Sequence, residues 1–237
     1  MILLKDLKQG FGNRELFRGE NIKIESGINY LIGTNGTGKT TLLKLMVGIL
    51  KPQKGEIKYD DKSIEEALDT IGIVFDEPCF FPYLTGLENL LYFNQNARIK
   101  VDENFIKSLY HTWNIGAEDI RYGQYSLGMK KKLSIVLSLM RNPSYWLLDE
   151  PFNGLDMETQ HMLKLKMTEM KKLGKTVILS SHNMNDHIDI ADHILALCHK
   201  ELKYYPNVSR NLGVLGENIS VEKIINELED KNGSGRV

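Results

Sequence analysis

The sequence predicts an α/β fold with a mainly parallel sheet, and three observations carry that expectation. First, Tyr30-Leu31-Ile32, Ile71-Gly72-Ile73-Val74-Phe75, Tyr145-Trp146-Leu147-Leu148 and Thr176-Val177-Ile178-Leu179-Ser180-Ser181 are largely apolar runs of strand length that do not alternate with polar residues, as strands covered on both faces must be. Second, longer segments of helical character lie between them, so consecutive strands can run parallel. Third, a glycine-rich segment, Gly33-Thr34-Asn35-Gly36-Thr37-Gly38-Lys39-Thr40, leaves the first of these strands and opens a helix. It fits the phosphate-loop pattern G-x-x-x-x-G-K-[ST] of nucleoside triphosphatases. In such a sheet, ligands bind at the carboxyl ends of the strands.

Taken in chain order, the segment up to about Ile28 mixes short alternating stretches such as Ile22-Lys23-Ile24 with Gly12, Gly19 and Gly27. This predicts an N-terminal antiparallel β subdomain. Thr41 to Val47 reads as a helix with Gly48 near its end, Lys51-Pro52-Gln53-Lys54-Gly55 as a turn, and Glu56-Ile57-Lys58-Tyr59 as an alternating strand. Between about residues 85 and 142 the pattern is helical, with Leu87, Leu90, Leu91, Phe93, Phe105, Ile106, Leu109 and Trp113 as apolar positions, and a helical subdomain is expected. Within it Gly128 to Met140 forms a helix ended by Asn142-Pro143. Met157 to Leu173 is a helix closed by Gly174. A short amphipathic helix is expected at about 219–229, with Val221, Ile224, Ile225 and Leu228 on one face. Residues 1–237 are read as a single domain.

With 237 residues, 42% of them hydrophobic, the chain can fill a complete core. Its formal net charge of −1 gives no electrostatic case for nucleic acid or an anionic membrane, and no nucleic-acid partner is expected. Cys79 and Cys198 are far apart and form no metal-type pair, so they are read as reduced thiols of a cytosolic protein. Lys5 and Asp6 interrupt the amino terminus too early for a signal peptide, and no run approaches the roughly 18–20 apolar residues of a membrane span.

The phosphate loop dictates its own chemistry. Gly33, Gly36 and Gly38 let the backbone N–H groups around Asn35 curl about the phosphates, and the helix read from Thr41 presents its positive end. Lys39 would sit between the β- and γ-phosphates, and the Thr40 hydroxyl would be a ligand of the bridging Mg²⁺. The strand Tyr145 to Leu148 delivers Asp149 and Glu150. Beside such a loop, Asp149 holds the metal and Glu150 polarises the attacking water. ATP and Mg²⁺ are therefore the expected ligands.

The order of the phosphate loop, Tyr125-Ser126-Leu127-Gly128-Met129, Leu147-Leu148-Asp149-Glu150-Pro151, Asn153-Gly154-Leu155-Asp156 and Ser180-Ser181-His182 resembles the nucleotide-binding domain of an ABC transporter over residues 1–200. The resemblance implies that Tyr125 to Met129 is the signature motif, usually LSGGQ, which caps ATP bound to the opposite subunit of a dimer. Ser126 and Gly128 are retained, and the YSLGM form resembles bacterial exporter-type subunits. It also implies that His182 contacts the γ-phosphate, that Asp156 communicates between the two sites besides capping its helix, and that Phe11 stacks on adenine. Asp76 stands where the family places glutamine, and it is read as a metal-side ligand. Cys79, Phe80, Phe81 and Tyr83 fall where a coupling helix of a membrane subunit docks in the family; subdomain core is the other reading. The implied function is an ATP-hydrolysing subunit, bound to a transmembrane partner at the cytoplasmic face of the membrane and exporting peptide, antibiotic or lipid. The alternatives are a soluble ABC ATPase of cofactor assembly and a regulatory ATP-binding module.

Overall fold

The structure, a computed structural model, describes residues 1–12, 14–19, 21–76, 80–181 and 188–208. The expected helix at 219–229 lies outside them. The sheet begins with β1 (Ile2–Phe11), β2 (Arg14–Arg18) and β3 (Ile22–Ile24), followed by β4 (Gly27–Ile32), which enters the phosphate loop. Helix α1 (Lys39–Met46), strand β5 (Lys54–Tyr59), the one-turn α2 (Ile64–Ala67) and strand β6 (Ile71–Val74) come next. Helices α3 (Gly86–Gln95), α4 (Glu103–Thr112) and α5 (Leu127–Leu139) follow before β7 (Tyr145–Leu148), α6 (Met157–Lys172), β8 (Thr176–Ser180), β9 (His193–Cys198) and β10 (Glu201–Tyr205).

Strands β9, β4, β8, β7 and β6 are neighbours in that order and all parallel. Before them, β1 pairs antiparallel with β2, β3 and β5, which forms the expected antiparallel part. The structure adds an antiparallel hairpin of β9 and β10 to the elements that the sequence predicts. Its β10 joins the two regions through a single parallel pairing, Glu201 with Arg18.

The parallel strands are largely apolar because each feeds two cores. Ile28, Tyr30 and Ile32 of β4, Trp146 and Leu148 of β7, and Val177 and Leu179 of β8 face one cluster, shared with α5 and with Leu163, Met167 and Met170 of α6. Their alternate residues Leu31, Tyr145, Leu147 and Ile178 face the other cluster, shared with Leu42, Leu43, Leu45 and Met46 of α1 and with Ile2, Leu4 and Ile57. Side chains of a strand point to opposite faces in turn, so a run without alternation is what two covered faces demand. The buried Trp146 indole donates to Ser138 Oγ at 2.8 Å, which fixes α5 over β7 and thus sets the signature segment relative to the end of that strand.

Helix starts follow local capping. Thr85 and Glu88 form a reciprocal capping box on α3, Asp102 caps α4, Ser126 caps α5 and Asp156 caps α6. Ahead of α3, the buried Asn89 holds the Phe81 backbone by accepting from its N–H at 2.8 Å and donating to its carbonyl at 3.1 Å. The aromatic segment is divided by this anchoring. Phe80 packs against the main core, whereas Tyr83 is 63% exposed and meets the half-buried Phe81 ring at 5.9 Å. Cys79 lies outside the described residues.

Candidate active site

The loop between β4 and α1 is built to expose backbone N–H groups. Gly38 precedes α1 with φ 110°, in the left-handed region closed to most side chains, and no side chain caps the helix. No acid occupies the first turn of α1, so its positive end is uncompensated from within the helix. Asn35 and Gly36 lie exposed on the loop, Gly33 is buried and Thr41 half-buried. The Lys39 ammonium folds back to donate to the Gly33 carbonyl at 2.7 Å. Burial lowers its pKa from the ordinary lysine value, and the nearby Glu150 and Asp149 carboxylates partly oppose that. Among the described residues its hydrogen bonds go to backbone carbonyls, and a desolvated ammonium bonded in this way is a receptor for an anion.

Asp149, buried at the end of β7, accepts from Thr40 Oγ1 at 2.7 Å and from Ser180 Oγ at 2.7 Å, one bond to each carboxylate oxygen. Three strands thus converge: β4 through its loop, β7 and β8. The next residue, Glu150, has φ 48°, a left-handed conformation that costs a non-glycine residue of the order of 1–2 kcal/mol. Its surroundings hold it there. Its N–H donates to Ser180 Oγ at 3.2 Å, its carbonyl accepts from Lys131 Nζ at 3.2 Å, and its carboxylate meets Asn153 Nδ2 at 3.5 Å. Ser180 and Lys131 are contacts of Glu150 that motif reading left without a role. For Lys131 a signal existed: it lies four residues before Ile135 on the buried side of α5, a charge where the helical period demands an apolar residue.

The signature segment is a helix start. Ser126 Oγ accepts from Met129 N–H at 3.2 Å, and Leu127 beside it is 62% exposed. Gly128 must lack a side chain, since a Cβ there would stand 2.9 Å from the Gly154 carbonyl. Lys132 of the same helix reaches Asp156 Oδ2 at 3.4 Å, which joins the signature helix to the start of α6. Asp156 is the helix cap expected of it: it accepts from Thr159 N–H at 2.7 Å, and this bond, aided by Lys132, lowers its pKa to about 2. A depressed carboxyl pKa stabilises the fold above the unfolded value of 3.8 and loses that contribution as pH falls through about 2. The Thr159 amide resonance should accordingly titrate near pH 2, and Asp156→Asn should remove that titration while keeping the cap.

Tyr125, the tyrosine of YSLGM, explains itself structurally. Its hydroxyl accepts from the Gly86 N–H at 3.1 Å at the start of α3 and lies 2.8 Å from the Tyr110 hydroxyl. Tyr125→Phe leaves a buried N–H without that partner, which costs about 1–3 kcal/mol. We expect a melting temperature lower by roughly 3–10 °C, measured by calorimetry.

Two other sequence expectations have firm positions. The Phe11 ring is 54% exposed at the end of β1, outside both cores. Asp76 is also exposed, and its Oδ1 accepts from Lys131 Nζ at 2.9 Å. His182 lies outside the described residues.

A sequence profile described as ABC transporter matches residues 18–153, more than half of the chain. The chain belongs to the ABC transporter family. It is an ATP-binding and ATP-hydrolysing domain of that family, and its ABC fold holds the phosphate loop, Asp149 and Glu150 in one site. It is 32% identical over 197 residues to the lantibiotic transport ATP-binding protein SrtF of Streptococcus pyogenes, covering 82% of this chain and 85% of the relative. It is likewise 32% identical over 249 residues to the energy-coupling factor transporter ATP-binding protein EcfA1 of Fusobacterium nucleatum, covering 98% and 92%. Among solved structures, cbiO1 of Clostridium perfringens, described as part of the ABC transporter complex cbiONQ, superposes with a TM-score of 0.71 at 26% identity, covering 87% and 88%. No helix among the described residues of this ABC domain is long and apolar enough to cross a membrane.

Proposed function

We propose that this chain dimerises with a second nucleotide-binding domain around two ATP molecules and drives a separate transmembrane subunit that exports a peptide, an antibiotic or a lipid. The observation that carries the reading is the buried Asp149 carboxylate, bonded to Thr40 of the phosphate loop and to Ser180, with the constrained Glu150 next to it. This is a hydrolytic arrangement as well as a binding one.

The residues present fit a magnesium ion. Thr40 Oγ1 and Asp149 are hard oxygen donors 2.7 Å apart at the foot of the phosphate loop, and they would hold it. When bound, Mg²⁺ supplies charge neutralisation across the β- and γ-phosphates. The Lys39 ammonium exchanges the Gly33 carbonyl for phosphate oxygens, which returns to it the anionic partner that burial withheld. The loop N–H groups and the open end of α1 bind the remaining phosphate charge. Glu150 polarises the attacking water, and its fixed backbone limits the carboxylate's search. His182 is assigned to the γ-phosphate and Phe11 to the adenine. Ser126 and Gly128 cap the ATP held by the second domain, and Asp156 lies between the two sites.

The transport role is supported by the similarity to a lantibiotic transport protein and to an energy-coupling factor transporter protein, both of them ATP-binding proteins by name. In this reading the chain works at the cytoplasmic face of the membrane through its partner. The exposed Tyr83 and the neighbouring Phe81 supply an apolar docking surface. To test the reading, tagged Glu150→Gln protein is isolated from its native cells in mild detergent with ATP present, because blocked turnover prolongs the closed dimer. A multi-spanning membrane protein in the complex is the expected result, and that partner's own ligand would then identify the substrate. Recovery of soluble proteins alone from fully solubilised membranes would overturn the transporter reading.

A further inference from the structure

One buried ammonium joins three elements around the reactive carboxylate. The Lys131 side chain is 1% exposed, yet its Nζ lies 2.9 Å from Asp76 Oδ1 in the loop after β6 and 3.2 Å from the Glu150 carbonyl in the turn after β7. Lys131 itself belongs to α5, the helix that starts at Ser126. A lysine ammonium carries three donors and cannot be buried cheaply without an anion, and among the described residues Asp76 supplies that anion. The other bond ends on the backbone of the one residue in the site that is held at φ 48°.

We propose that Lys131 and Asp76 are positioning residues for ATP hydrolysis. Lys131 holds Glu150 through its carbonyl, and Asp76 holds Lys131 in place. Resting on the assignment of Glu150 to water activation, this gives Asp76 a different occupation from the metal-side ligand that its sequence position suggests. Its carboxylate serves as the counter-charge of a buried cation, which also offsets the negative charge it would otherwise bring beside a triphosphate. The pair links the signature helix to the loop after β6, so a displacement of either is transmitted to the Glu150 backbone. The two charges are needed together: an isolated aspartate would repel the phosphates, and an isolated buried lysine would be driven out toward solvent.

The test is a double-mutant cycle on the full chain: wild type, Asp76→Asn, Lys131→Met and the double variant, with Asp76→Glu as the charge-conserving control. Methionine matches the unbranched lysine stem in a buried setting. ATPase kcat and the KM for ATP are measured well below each melting temperature and across a Mg²⁺ titration, with rates normalised to ATP-binding sites. Asp76→Asn and Lys131→Met should each lower kcat by about 10–100-fold, the scale on which small misplacements of a reacting group act. The KM for ATP should change by less than about threefold, since neither group holds the nucleotide. The double variant should recover at least about tenfold over the product of the two single losses. Asp76→Glu should retain most of the wild-type rate.

Losses that simply multiply in the double variant would overturn the proposal, as would single variants with wild-type kcat. A rate in Asp76→Asn that excess Mg²⁺ restores would overturn it in favour of a metal ligand. If Lys131→Met fails to fold, the comparison still stands on Asp76→Asn against Asp76→Glu, both at a surface position. There, equal kcat values in the two would reject the charge pair. Glu150→Gln, assayed alongside, separates the two assignments: wild-type turnover in it rejects the role of Glu150, whatever the cycle shows. An inactive Glu150→Gln with an uncoupled cycle rejects the pair alone.

Discussion

Glu150→Gln should keep ATP binding and lose turnover by roughly 10²–10⁴-fold, the range a positioned general base contributes. The amide has nearly the shape of the carboxylate, so the backbone at φ 48°, the bond its N–H donates to Ser180 and the bond its carbonyl accepts from Lys131, which involve only main-chain atoms of Glu150, are unaffected. What is removed is the carboxylate's charge and, with it, the ability to take a proton. The loss belongs in kcat, with the affinity for ATP equal to or tighter than wild type, because one negative charge beside the triphosphate disappears. Single-turnover hydrolysis with parallel equilibrium binding of ATP measures both quantities. Retention of more than about a tenth of the wild-type kcat would count against Glu150 as the water-activating group.

Lys39→Ala should act on both binding and chemistry. Charge-assisted hydrogen bonds to phosphate contribute about 1.5–3 kcal/mol, so ATP affinity should fall about 10–150-fold. The developing charge of the transferred phosphoryl group loses a donor as well, for a further loss of about 10²–10³-fold in kcat. The stability of the nucleotide-free protein should move differently. The Lys39 pKa is lowered by burial, so the charged form is disfavoured in the folded state. Below the folded value that unfavourable contribution is fully present, and it is relieved as pH rises through the folded value toward 10.5. Removing the ammonium should therefore leave the melting temperature of the free protein unchanged or higher. The ATP-dependent rise, roughly 5–10 °C for wild type at a hundredfold excess over its Kd, should fall to about half or less at the same ATP concentration. Calorimetry with and without Mg-ATP reads both effects. A Lys39→Ala protein that ATP still stabilises fully would refute the assignment.

Much of the site was legible because phosphate chemistry restricts which residues can do the work. Gly38 is needed where a φ of 110° opens α1, and Lys39, Thr40 and Asp149 follow from charge and oxygen-donor requirements that hold in any arrangement of the chain. The cap Asp156 was legible for a local reason: it bonds a backbone N–H three residues on. The β9–β10 hairpin was less legible. Only contact with β4 and β2 gives these segments their place, and the apolar run of β9 has no helix after it to mark it as part of the alternation.

The sequence by itself determined the parallel αβ core, the phosphate loop and the identity of the carboxylates at the end of β7, because these depend on periodicity within a segment or on residues adjacent in the chain. The tertiary structure alone decided that Ser180 and Thr40 share Asp149, that the Tyr125 hydroxyl ties the signature segment to Gly86, and that Asp76 lies on Lys131. Thr40 and Asp149 are 109 residues apart, and Asp76 and Lys131 are 55 apart. Hydrogen bonds and ion pairs act over a few ångströms, so the partner of a buried lysine is fixed only when the fold has brought a carboxylate within reach.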